Sequence, residues 1–388
     1  MADARQVFPE REYRDRLGRL QAAMATDGLD ALLLTTPPDI FYVTGFLTRF
    51  WESPARPWFV VVPATGDPVA VIPAIGADLM RRTWITRIRT WEAPDPRDDG
   101  VGLLTDTLCA LVPEKGRIGL PMGAETHLRM PLGDYEALRR RIAPRTLFDA
   151  TQAIHRTREI KSEAEIDRIR ATCAIAGRAF DRVPDIATPG RPLDAVFRDF
   201  QVALLEEGAD WVAYLAGGAG PDGYGDVISP AGPQPLARGD VLMLDTGAVC
   251  DGHFCDFDRN FAIGGASDTA RRTHAALWQA TEEVLQTLRP GHRACDAHAM
   301  LTEALTRHGA TPGGGRLGHG LGLSLTEWPS FTPLDRTELR EGMVLAIEPG
   351  AVAAPGRLMV HEENIVLRAH GPELLSPRTP ETLPEIAR

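Results

Sequence analysis

Three carboxylates, Asp245, Asp256 and Asp258, fall within residues 241–261 at a spacing that a hairpin would gather onto one face. Asp251-Gly252 is the turn signal, because both central positions of a type I′ turn need φ > 0. With the turn centred there, Cys250 faces His253, Gly247 faces Asp256 and Asp245 faces Asp258. Side chains alternate along strands, so the three acids point the same way. Facing acids repel, and the flanking residues are apolar enough to be buried. A buried set of this kind stays charged only beside a cation. The competing reading is a solvated hairpin face.

A second acidic strand argues for the cation. Gly239-Asp-Val-Leu-Met-Leu-Asp245-Thr-Gly-Ala aligns with Gly342-Met-Val-Leu-Ala-Ile-Glu348-Pro-Gly-Ala, and each is followed by a return strand with another acid, Asp256 or Glu362. The helices upstream repeat too: Pro189-Gly190 opens one that closes at Gly208, and Pro290-Gly291 opens one that closes at Gly309. A period of roughly 100 residues is too long for a solenoid and indicates two related halves. Leu317-Gly-His319-Gly-Leu-Gly adds an imidazole among glycines, where backbone can approach closely. Asp, Asp, His, Glu and Glu form a hard, oxygen-rich set suited to Mn²⁺, Co²⁺, Fe²⁺ or Zn²⁺. Their charge is enough for two divalent ions, and such pairs activate water for hydrolysis. Gly313-Gly-Gly315-Arg-Leu-Gly318 mimics a dinucleotide fingerprint, but it follows a helix and opens none, so its context fails.

These groups need a scaffold, and 388 residues suit two domains. Residues 1–155 alternate helices (10–28, 132–141) with strands (31–34, 59–62, 69–72, 117–120), which makes an α/β domain. The aromatic and arginine-rich loop 49–56 suits a lid or a subunit contact. A boundary near 154–160 precedes the capping box Ser162-Glu-Ala-Glu165, and residues 156–388 hold every acid named above. The net charge of −11 excludes nucleic acid and anionic membrane as partners. No apolar run reaches the roughly 18 residues of a membrane span, and residues 1–6 lack a signal-peptide pattern. Five cysteines, read as thiols, suit the cytoplasm.

The ligand pattern resembles the pita-bread metallohydrolases of the peptidase M24 family, which include Xaa-Pro aminopeptidase, prolidase, methionine aminopeptidase and creatinase. Asp39-Ile-Phe-Tyr-Val-Thr-Gly45 looks like the creatinase/prolidase N-terminal domain, so the resemblance covers nearly the whole chain. It implies a two-domain α/β fold with a duplicated α+β pita-bread catalytic domain. Asp245 would bind one ion, His319 and Glu348 the other, and Asp256 and Glu362 would bridge both. Glu348 would also shuttle the proton. The implied activity is that of an Xaa-Pro peptidase, in which a metal-activated hydroxide attacks an amide C–N bond. Mn²⁺ or Co²⁺ lead as the ions, with Zn²⁺ or Fe²⁺ behind. The two-domain branch implies a homodimer, with the 49–56 loop reaching a partner's site.

The chain departs from the family around the substrate. Thr326-Glu327 stands where relatives have His-Glu, and near Tyr224 a second histidine is missing. Tyr224, Thr326 and Glu327 are therefore the substrate-contact candidates. Asp258 replaces a threonine. The altered shell keeps open a non-peptidic small-molecule substrate, as in ectoine hydrolase or creatinase. A non-catalytic binding protein of this fold is the third reading, which a complete ligand set disfavours.

Overall fold

The computed structural model describes residues 7–53 and 56–387. Residues 1–6, where a targeting signal was sought, lie outside the described residues. The chain divides into two compact units, Met1–Arg158 and Glu159–Arg388. The helix Thr151–Arg158 belongs to the first unit, where Arg156 grips both oxygens of Asp27 and Thr157 O accepts the Tyr42 hydroxyl.

In the first unit, β1 (Ala31–Leu34), β2 (Phe59–Pro63), β3 (Val69–Pro73), β4 (Arg87–Trp91), β5 (Arg117–Leu120) and β6 (Thr146–Asp149) form one mixed sheet ordered β4-β3-β2-β1-β5-β6. Its first three strands are buried throughout, as unbroken apolar runs between helical layers should be. The 39–45 motif is a helix, Pro37–Thr44. Proline sits in its first turn, where no N–H is needed, and Gly45 closes it at φ 76°. Arg129 holds the described part of the 49–56 loop by donating to Trp51 O, Ser53 O and Arg56 O.

The second unit carries two main sheets. β7 (Trp211–Pro221), β8 (Asp240–Cys250), β9 (His253–Phe254) and β10 (Phe257–Ile263) build the first, with β19 (Glu385–Ile386) at its edge. β12 (Gly318–Gly320), β13 (Glu327–Ser330), β14 (Val344–Ile347), β17 (Glu363–Arg368) and β18 (Gly371–Leu374) build the second, ordered β13-β12-β14-β17-β18. A small third sheet joins β11 (Thr311–Pro312), β15 (Gly350–Ala354) and β16 (Arg357–Val360).

The duplication extends to individual hydrogen bonds. Gly190 N–H donates to Leu236 O before the helix Leu193–Glu206, and Gly291 N–H donates to Leu339 O before the helix Ala294–Arg307. Pro192 bridges Pro235 in one half, and Arg293 bridges Glu338 in the other. The capping box at Ser162 is formed, with both reciprocal bonds present. Among the described residues no helix is long and apolar enough to cross a membrane.

Candidate metal centre

The β8–β10 hairpin has the register that its turn dictates. Asp251 and Gly252 both take positive φ, at 51° and 77°. Cys250 pairs with His253 and Asp245 pairs with Asp258. Between β9 and β10 the ladder breaks at Cys255-Asp256. There the Asp256 main chain finds the Asn364 side chain, whose Oδ1 accepts the Asp256 N–H at 2.8 Å. None of the five cysteines forms a disulfide among the described residues.

His319 lies in β12 at a register shift, where its strand pairs irregularly with β13. Such bulges re-aim side chains beside functional sites. Its Nδ1 is 2.8 Å from Gly320 O, which places the proton on Nδ1 and leaves Nε2 a lone pair for a ligand. Glu348 follows β14 and Glu362 precedes β17, so the two glutamates continue the antiparallel pairing in which Ile347 faces Glu363.

These elements bring the groups together. His319 Nε2 is 3.4 Å from Asp256 Oδ2, 3.9 Å from Glu348 Oε2 and 4.0 Å from Glu362 Oε1. One ligand atom each from Asp256, His319 and Glu362 lies within 4.8 Å of the others, and all three residues are buried. Asp245 Oδ1 and Glu362 Oε1 are enclosed without a hydrogen-bond partner. Buried carboxylate oxygens are rarely left so, and a divalent cation is what fits them. With metal–ligand bonds of about 2.0–2.2 Å, donors 3.4–4.0 Å apart can share one ion.

The electrostatics agree. Burial first, then repulsion from Asp256 and Glu348, holds the Asp245 carboxyl well above its ordinary range. Glu362 is raised by burial and then by Asp256, Glu348 and Asp245. Burial also raises Asp256 and Glu348, opposed at both by Arg316. Arg316 is exposed and sits in the glycine-rich approach to His319, so a cation stands at the rim of the acidic cradle.

The expected substrate contacts need correction. Tyr224 is fully buried, and its hydroxyl accepts the Val360 N–H at 2.5 Å while its backbone bridges Leu358. It is part of the scaffold, out of a substrate's reach. Glu327 is also committed: it pairs with Lys161 at 3.2 Å and accepts the N–H groups of Leu323 and Ser324, fixing the loop after His319. Thr326 is half-buried on that loop. The sequence reading missed Tyr214. Ala216 pairs with Asp245 and Tyr214 with Gly247, so Tyr214 and Asp245 share a face. A side chain at Gly247 would collide with Leu325, 2.3 Å from an added Cβ, so glycine there leaves room beside the tyrosine ring. Burial, followed by Asp245, Asp256, Glu362 and Glu348, pushes the phenol up and keeps it a proton donor. Its hydroxyl donates to Val227 O at 3.4 Å, and Asp245 is the carboxylate that acts on it most strongly.

Comparison with known proteins gives the same picture. The model of "Metallopeptidase family M24" matches residues 167–369, and that of the "Creatinase/Prolidase N-terminal domain" matches residues 16–160. A Mycobacterium tuberculosis protein called "Probable dipeptidase PepE" is 29% identical over 364 residues, 93% of each chain. An "Xaa-Pro dipeptidase" of Pyrococcus horikoshii is 24% identical over 371 residues, 93% of this chain and 97% of the other. The crystal structure of dipeptidase PepE from Mycobacterium ulcerans superposes with a TM-score of 0.83 at 27% identity, over 98% of this chain and 99% of that one.

Proposed function

The chain belongs to metallopeptidase family M24, and from that premise we propose that it hydrolyses short peptides, Xaa-Pro dipeptides foremost, with two divalent ions held by Asp245, Asp256, His319, Glu348 and Glu362. One observation carries the reading: Asp256, His319 and Glu362, from both halves, bring ligand atoms within 4.8 Å of one another in a buried cradle, with Glu348 3.9 Å from His319 and unpartnered oxygens on Asp245 and Glu362. Relatives called dipeptidases extend along nearly the whole chain, which supports a dipeptide substrate. Mn²⁺ or Co²⁺ suits the oxygen-rich donor set.

When bound, the ions supply Lewis acidity and lower the pKa of water. The remaining work falls to the chain. Glu348 is more exposed than Asp256, His319 or Glu362, its side chain 28% accessible, and it can take a proton from water and pass it to the leaving nitrogen. The Gly320 carbonyl keeps His319 in the tautomer whose Nε2 presents a lone pair. Tyr214 shares a face of the sheet with Asp245 and keeps a neutral phenol beside the carboxylates. Arg316, exposed and close enough to act on Asp256 and Glu348, offers a cation that can pair with a dipeptide's terminal carboxylate.

The test is metal analysis of protein purified without chelator, followed by a substrate panel. Close to two transition ions per chain are expected, with cleavage of Xaa-Pro dipeptides that a C-terminal amide weakens. A metal-loaded protein that cleaves no proline peptide overturns the substrate assignment. Thr326, standing where the family resemblance expects histidine, favours one second reading, a small cyclic amide or amidine as substrate. Including ectoine-type amidines in the same panel decides between the two.

Tyr214→Phe is expected to lower kcat by about 10-fold or more, through loss of a hydroxyl on the face that carries Asp245. Ion content should stay at the wild-type value, because neither a ligand nor a side chain that holds a ligand's main chain is changed. Unchanged kcat would remove Tyr214 from the site.

A further inference from the structure

Asp256 and Glu362 are the two ligands assigned to bridge the ions, and they come from different halves of the duplicated unit. The position of each main chain therefore sets how far apart the two ions are held. In both, the peptide N–H and C=O next to the ligand are taken up by side chains of the opposite half.

Asp258, two residues after Asp256, accepts the Glu362 N–H on Oδ1 at 2.6 Å. The next residue, Arg259, donates to Glu362 O at 2.9 Å and to Asp258 O at 2.6 Å. In return Asn364, two residues after Glu362, accepts the Asp256 N–H on Oδ1 at 2.8 Å and donates from Nδ2 to Asp256 O. All of these residues are buried. Each clasping residue is itself braced. Asp258 Oδ2 accepts from Asn260 Nδ2 at 3.1 Å, and the Asn364 N–H donates to Ser376 Oγ at 3.0 Å. Arg259 is anchored by Glu363 at 2.9 Å.

We propose that Asp258 and Asn364 are reciprocal positioning residues, a crossed clasp that fixes Asp256 and Glu362 relative to each other so that the site closes around two ions together. The inference rests on the dinuclear reading above. It gives the third acid of the hairpin a role outside direct metal ligation, because both Asp258 oxygens already have N–H partners. It also explains the break in the β9–β10 ladder: the missing strand partner of Asp256 is the Asn364 carboxamide, which offers one acceptor and one donor as a peptide would. Metal sites tolerate only about 0.5 Å of misplacement, and two chain segments more than a hundred residues apart need such a constraint to meet it.

The test titrates metal-free protein with Mn²⁺ by calorimetry and follows thermal unfolding in parallel. Wild type is expected to take up two ions. Asp258→Ala and Asn364→Ala should each weaken the second ion by about 10- to 100-fold, so that stoichiometry falls towards one at micromolar metal. Asp258→Asn keeps an acceptor oxygen for the Glu362 N–H and should recover most of the lost affinity. Asn364→Asp loses the donor to Asp256 O and should not. If the alanine variants fold and bind two Mn²⁺ with wild-type affinity, the clasp is overturned while the dinuclear reading stands. If an alanine variant does not fold, Asp258→Asn decides: weakening to a single ion would show that charge matters and the acceptor does not, which also overturns the clasp. A wild-type protein that binds fewer than two Mn²⁺ overturns both.

Discussion

Replacing Asp256 with alanine is expected to release both ions and to reduce turnover below detection in a peptide assay. The carboxylate lies 3.4 Å from His319 Nε2 and is buried, so no neighbouring group can swing in to replace it. Losing a ligand shared by both ions is expected to cost more than the about 10- to 100-fold that follows from losing a group that only supports a ligand. Stability should respond in the opposite sense. Without metal, Asp256 is a buried acid among Asp245, Glu348 and Glu362, and it raises the proton affinity of Asp245 and Glu362. Removing it relieves that repulsion, while the Asn364 bonds to its main chain remain. The metal-free variant should therefore melt no lower than metal-free wild type, and added Mn²⁺ should no longer raise its melting temperature. Retention of two ions, or turnover above a tenth of wild type, would sink the assignment of Asp256 as a bridge.

The hairpin was legible in the sequence because its information is local. Asp251-Gly252 allows one compact turn, that turn sets one register, and the register gathers Asp245 and Asp258. The Ser162 capping box and the repeated helices were legible for the same reason. His319, Glu348 and Glu362 were found by matching one half against the other and by family resemblance. The substrate shell was misread where tertiary contacts decide. Tyr224 sits in a glycine-rich segment that looks exposed, yet its bridge to Leu358 and its bond to Val360 bury it. Glu327 was a substrate-contact candidate, yet Lys161, 166 residues away, and two loop N–H groups claim it. Tyr214 carried no signal because an aromatic residue in an apolar strand reads as core. Its aim follows from a pairing that is irregular between Val212 and Tyr214, which a pattern of alternation cannot reveal. The clasp of Asp258 and Asn364 spans the two halves and needed coordinates.

Stripping the ions is expected to destabilise the protein, and to do so more as pH rises. In the metal-free fold Asp245, Asp256, Asp258 and Glu362 sit well above the ordinary carboxylate range, with burial the largest cause in each, and Glu348 is raised as well. A group that binds its proton more tightly when folded contributes stability that is fully present below its unfolded pKa, about 4 for these acids, and that is lost as pH climbs through its folded value. The melting temperature of stripped protein should thus fall between about pH 5 and pH 8. Ion binding runs the other way: it needs ionised ligands, so affinity and the stabilisation it brings grow with pH. The gap between loaded and stripped melting temperatures should widen over that range. His361, lowered to about 4 by burial, and His274, lowered by the same cause, favour folding as pH rises. Neither is among the ligands, so they act on both forms and leave the gap untouched. Melting curves with and without Mn²⁺ at pH 5, 6, 7 and 8 measure it directly. A gap that stays flat or narrows would mean that the acids of the cradle are not what the ions neutralise.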